Sequence, residues 1–224
     1  MNGSIICHLI LKDWRLNRLL ILLTIGAGIV AMVVAQYGHE IVRVVGGIWL
    51  FVALCVLASM LPASVIINER KKQTLAFIIS LPVSAVQYTI AKIASVWGLF
   101  LLPWFTLLIM AAVLIETSRV VPRGAIPMLL MFALLPLIGF CIISSTALVA
   151  ESEGWLIAAS VVINSSYWLG FYLLSHIPAL TANWNSPVAV WNQTAVFTLS
   201  AELGSIALIF GITLFLQSRK RTFI

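Results

Sequence analysis

Charge is what this sequence lacks most. Only 9% of its 224 residues are Asp, Glu, Lys or Arg, against roughly 25% in soluble domains, while 62% are hydrophobic. So little polar surface cannot cover a water-soluble fold of this size, and almost no sequence remains for a separate soluble domain. Cysteine is scarce and odd in number: Cys7, Cys55 and Cys141. None stands in a C-x-x-C pair, so neither a disulfide framework nor a zinc site is supported. The histidines His8, His39 and His176 are equally scattered, and all six residues read as packing or interfacial groups. None of the 13 glycines is followed by lysine, which excludes a P-loop and with it a nucleotide site of that kind. No nucleophile, base and orienting group stand at recognisable spacing, so chemistry on a substrate is not expected and no cofactor is implied.

What the sequence has is long apolar blocks. Six are long enough to cross a bilayer core of about 30 Å as helix: approximately Leu19–Tyr37, Val44–Ile67, Ile93–Ile115, Ala125–Val149, Trp155–Ser175 and Ala195–Leu216. Helix is required, because an open strand would leave backbone groups unpaired in hydrocarbon. The fold class expected is therefore an all-α polytopic membrane protein. Lys12, Arg15 and Arg18 precede the first block, which reads as a signal-anchor that stays in the protein.

Basic residues set the orientation. With a cytoplasmic N-terminus, that side collects Lys12, Arg15, Arg18, Arg70, Lys71, Lys72, Lys92, Arg219, Lys220 and Arg221. The other side holds only Arg43, Arg119 and Arg123. Ten against three is a strong positive-inside bias and puts both chain ends in the cytoplasm. The formal charge of +6 is thus accounted for by anchoring to anionic lipid, at about 1 kcal/mol per residue, and nucleic acid is not expected as a partner.

Two cytoplasmic stretches carry more information than a turn would. Over Ile5–Leu20, apolar Ile6, Leu9, Ile10, Trp14 and Leu20 alternate with Lys12, Asp13, Arg15, Asn17 and Arg18, the pattern of a short helix lying in the interface before span one. Between spans two and three, Asn68–Gln87 starts too polar for another span. Thr74, Leu75, Ile78, Ile79 and Leu81 predict a short helix with an apolar side, and Pro82 ends it. Ser84 and Gln87 then form a capping box that restarts helix into span three. Such an element covers the bundle or docks a partner.

Prolines 62, 103 and 136 fall inside spans two, three and four, where kinks are expected. The outer loop His176–Thr194 holds Pro178, Trp184, Pro187 and Trp191, which suggests a segment dipping into the outer interface. Polar residues inside the spans are few. Glu202 falls well inside span six with Thr194, Thr198 and Ser205 on its face. It reads either as a substrate or proton-sensitive site or as a carboxyl hydrogen-bonded to hold helices together. Asn164, Ser165 and Ser166 interrupt span five and either bond across helices or line a wet path. Glu151 and Glu153 read as a solvated turn, or as a minor partner contact.

The Leu11–Arg18 run and the Glu69-Arg70…Thr74-Leu75…Leu81-Pro82-Val83-Ser84…Lys92 signature, in that order around six spans, resemble the membrane subunits of ABC type 2 transporters. The resemblance covers the full length and implies one transmembrane permease domain over residues 1–224, in a bacterial cell membrane. It implies as partners a separate cytoplasmic ABC ATPase and a second permease subunit, identical or closely related. Glu69–Leu81 would be the coupling helix, with Glu69, Arg70, Thr74, Leu75, Ile78, Leu81 and Pro82 meeting the ATPase. Ile5–Arg18 would be the interfacial elbow, and spans two and five would line the path between subunits. The cargo expected is amphipathic or hydrophobic, such as a peptide or lipid-like molecule. The alternatives are a membrane scaffold or immunity protein without transport, and an intramembrane enzyme.

Overall fold

The computed structural model describes residues 3–67, 85–118, 121–150 and 152–219. Six helices in it are long and apolar enough to cross a membrane, which makes this a multi-pass membrane protein. They are α1 (Gly3–Tyr37), α2 (Glu40–Pro62, continued by a π-helical turn Ala63–Ile67), α3 (Ala85–Ser118), α4 (Ile126–Ala150), α5 (Glu153–Ser175) and α6 (Gln193–Arg219). No strand occurs among the described residues. All six blocks read from hydropathy are present.

The interfacial helix expected ahead of span one is not a separate element. α1 runs unbroken for 35 residues, about 52 Å at 1.5 Å per residue, and so outruns a bilayer core of about 30 Å. The reason is local: no glycine or proline stands between Gly3 and Gly26. The polar residues of that stretch also divide in a way an interfacial helix would not require. Arg15 and Arg18 are exposed, whereas Asp13 and Asn17 are buried. Leu16 and Leu19, beside them on the same turns, face outward at 70% and 67% exposure. Polar groups inward and leucine outward is the arrangement expected in lipid, not in water.

α4 is the central helix, flanked by α2, α5 and α6, while α1 packs on α2 and α3. The core lies between α1, α2, α3 and α4, where Ile21, Leu57, Leu61, Val65, Val96 and Leu107 are fully enclosed. Phe100 stacks on Phe140 with centroids 4.1 Å apart, and Trp97 sits edge-on to Phe140 and Phe210. Trp104 donates its indole N–H to the Ala133 carbonyl at 2.8 Å, pinning α3 to α4. α5 and α6 are buried mainly along one stripe; Trp155, Trp168, Phe197 and Leu208 point away from the protein.

Helix continues through Pro103 and Pro136. Pro62 has the larger effect. Its missing N–H breaks the α-helical ladder, and the chain resets to the wider π pattern over Ala63–Ile67. The loop between α5 and α6 is built, not loose. It holds one helical turn (Pro178–Thr181) and closes through Asn192, whose amide donates to the Ala179 carbonyl at 2.6 Å. The Asn192 side-chain oxygen accepts from the Ala195 N–H at 2.7 Å, capping α6. Gly124 lies against this loop, donating to the Ser186 carbonyl at 2.9 Å. A Cβ there would collide with the Asn183 carbonyl, so glycine is required by the close approach.

Candidate functional site

The expected coupling segment, with Glu69, Arg70, Thr74, Leu75, Ile78, Leu81 and Pro82, lies outside the described residues. What the structure places are its two flanks, the π-helical turn ending at Ile67 and the start of α3 at Ala85. The flanks converge on α1 through a buried polar cluster, whose Asp13, Asn17 and Lys92 stand in the two stretches that carry the resemblance.

Asp13 is its centre. Lys92 Nζ lies 2.9 Å from Asp13 Oδ2 and 3.2 Å from Oδ1, with the two side chains 3% and 2% exposed. Ser95 Oγ donates to Oδ2 at 2.7 Å. Lys92 Nζ also reaches the Val65 carbonyl at 3.5 Å, in the π-helical turn. One turn along α1, Asn17 donates to the Asp13 carbonyl at 2.9 Å and accepts from Ser64 Oγ at 2.6 Å. Ser64 in turn sits on the Leu61 carbonyl. The carboxylate therefore ties α1 to the start of α3, and Lys92 and Asn17 extend the cluster to the end of α2.

Local sequence explains why these groups point inward. Asp13, Asn17, Ile21, Thr24, Gly28 and Ala31 follow each other at three- and four-residue steps, and all are buried. Lys92, Val96, Phe100, Pro103 and Leu107 do the same on α3. Extending the apolar stripe of each span back toward its start would have found Asp13 and Lys92. Read by charge alone, Lys92 falls among surface bases and Asp13 on an interfacial face.

Removing either partner leaves a buried charge, at a cost of about 3–5 kcal/mol. The intact pair adds little net stability, since desolvating two ions offsets most of their attraction. Its best-attested use is to fix register between elements.

Of the span residues singled out from sequence, Asn164 bridges two helices. Its side-chain amide donates to Ser59 Oγ of α2 at 3.1 Å and to the Ser160 carbonyl at 2.7 Å. Asn164, Ser165 and Ser166 are all exposed, Ser166 donating to the Val162 carbonyl of its own helix. A polar seam therefore opens on the outside of the protein between α2 and α5, about 16 Å from the start of α5. Next to it Phe51 meets Tyr167 and Phe171 edge-on, with centroids 5.3 and 4.5 Å apart. The Tyr167 ring fits because residue 139 of α4 is glycine, whose absent Cβ leaves room for the Tyr167 hydroxyl and Ile163.

Glu202 stands apart from both sites. It is half-buried, and its Oε2 is enclosed without a hydrogen-bond partner among the described residues. Thr198 and Ser205 spend their hydroxyls on carbonyls of α6 itself. The ties from α6 to α4 lie further on, where Thr213 Oγ1 donates to Ser145 Oγ and Gln217 Nε2 to the Leu148 carbonyl, both at 2.7 Å.

Comparisons of the chain with protein-family models, with curated proteins and with solved structures each find no match. No group of three His, Cys, Asp or Glu that could hold a metal ion occurs among the described residues. Cys55 and Cys141 are buried and unpaired with each other, as packing residues would be.

Proposed function

We propose that the chain is the membrane subunit of an ATP-driven exporter of the ABC type 2 kind. It works as one of a pair with a separate cytoplasmic ATPase, in a bacterial cell membrane. Both chain ends and the connection over residues 68–84 then face the cytoplasm, in keeping with the basic residues there. The connection receives the push of the ATPase through the segment Glu69–Leu81.

The observation that carries this reading is the outward polar seam at Ser59 and Asn164. A primary amide has one carbonyl and two N–H bonds to satisfy, and here the N–H donors go to protein. Asn164 and Ser165 are both exposed at mid-span depth, where hydrocarbon leaves a polar group unsatisfied at a cost of several kcal/mol. A wet path or a second subunit removes that cost, and the seam between α2 and α5 is where the pair would close around its cargo. Few other polar groups line these helices, which favours an amphipathic cargo.

Purification of the tagged chain from its own membranes tests the reading. An ATPase bearing a Walker A peptide is expected with the wild type and lost with Leu75→Glu or Leu81→Glu at equal membrane level. Recovery of no such ATPase from the wild type overturns the exporter and leaves a membrane scaffold as the better description.

A further inference from the structure

We infer that Asp13 is a positioning residue: it joins α1, the π-helical end of α2 and the first turns of α3 into one rigid body, so that load on the 68–84 connection reaches span one. This rests on the exporter reading for its purpose, but the rigid joint itself does not depend on it.

Three observations converge. First, the partners of the cluster on α1 come from both sides of the connection and not from one. Lys92 and Ser95 follow it in sequence, while Val65 and Ser64 precede it. Ser64 and Val65 ahead of the connection, and Lys92 and Ser95 after it, thereby meet the same two turns of α1. Second, the cluster is enclosed: Asp13, Lys92, Ser95 and Asn17 are each at most 5% exposed. Hydrogen bonds in such surroundings are directional and are not exchanged for water, so the three helix segments have one mutual arrangement. Third, apolar residues would hold the same helices together at least as well, because a buried ion pair contributes little net stability. What the ion pair and its hydrogen bonds add is direction, which ties the rotation and height of α1 to fixed atoms on its neighbours. Ser64 and Val65, which meet Asn17 and Lys92, both lie in the π-helical turn, where the chain departs from the α-helical repeat.

Spin labels at Arg15→Cys on α1 and Ala94→Cys on α3, both exposed positions, test the joint in a background with Cys7 replaced. The wild-type distance distribution is expected to be narrow and unchanged between the nucleotide-free and the ATP–vanadate-trapped assembly. In the apolar pair Asp13→Leu/Lys92→Met, combined with Ser95→Ala so that no buried hydroxyl is left without its acceptor, melting temperature should be preserved, because the desolvation cost is removed along with the attraction. The label distribution should nevertheless broaden by about twofold or more, as segments lose their common register. A narrow distribution in the apolar pair overturns the inference, as does a wild-type distance that shifts on trapping. If no ATPase accompanies the wild type, the exporter reading fails, and the nucleotide-free distributions still decide the joint.

Discussion

Among the described residues, two pairs of carboxylate and cation stand in opposite surroundings. Glu116 and Arg123 are each about half exposed, at 52% and 53%, whereas Asp13 and Lys92 are enclosed at 2% and 3%. Exposed pairs contribute about 0–1 kcal/mol, so Glu116→Gln should leave the melting temperature in detergent nearly unchanged. Asp13→Ala takes the carboxylate from the Lys92 ammonium and a hydrogen-bond partner from Ser95, and should destabilise by about 3–5 kcal/mol in the same assay. Gly139 gives a second single-residue case. Its place beside Tyr167 means that Gly139→Ala should lower stability, with Tyr167→Phe in the same chain recovering part of the loss by removing the obstructing hydroxyl. An equal loss in the double variant would show that the hydroxyl is not the obstacle.

The helices differ in how they are held. α1 to α4 supply most of the core, while α5 and α6 lie at its edge and pack chiefly on α4. For α6 the polar ties Thr213–Ser145 and Gln217–Leu148 add to that apolar contact. Interhelical hydrogen bonds in membranes contribute about 0.6–2 kcal/mol each. The double variant Thr213→Val/Gln217→Leu should accordingly expose the end of α6 to added protease in detergent, while α1 to α4 remain protected. The capped loop before α6 is the opposing anchor. Gly124→Val should push the 182–186 turn away from α4 and raise amide exchange there, since the Asn183 carbonyl occupies the space a side chain needs.

For the assembled bundle, its surroundings decide which outward faces are stable. Apolar side chains such as Trp155, Trp168, Phe197 and Leu208 are at home in lipid. The seam at Asn164 is not. Asn164→Leu is expected to preserve insertion and the fold, because leucine suits a lipid-facing position; on the exporter reading proposed above, it also weakens pairing of two copies in native-gel or photobleaching counts. Unchanged pairing together with unchanged export would remove the seam from the mechanism.

Hydropathy and charge alone set the class of the fold. Six blocks of about twenty apolar residues can only be helices across a bilayer, because hydrocarbon offers the backbone no other partner. The same reasoning found Asn164, since an amide at mid-span is conspicuous against valine and isoleucine. It misassigned the start of the chain, where Asp13 and Asn17 sit among Lys12, Arg15 and Arg18 in a pattern that suits an interface. Which of those polar groups turn inward depends on where Lys92, Ser95 and Ser64 stand, 47 to 82 residues away in sequence. The π-helical turn after Pro62 was equally out of reach, because proline announces a break but not the pattern that follows it. Composition decides that a segment must leave water; only the packed helices decide which polar atoms meet, because a hydrogen bond depends on distances that local sequence does not specify.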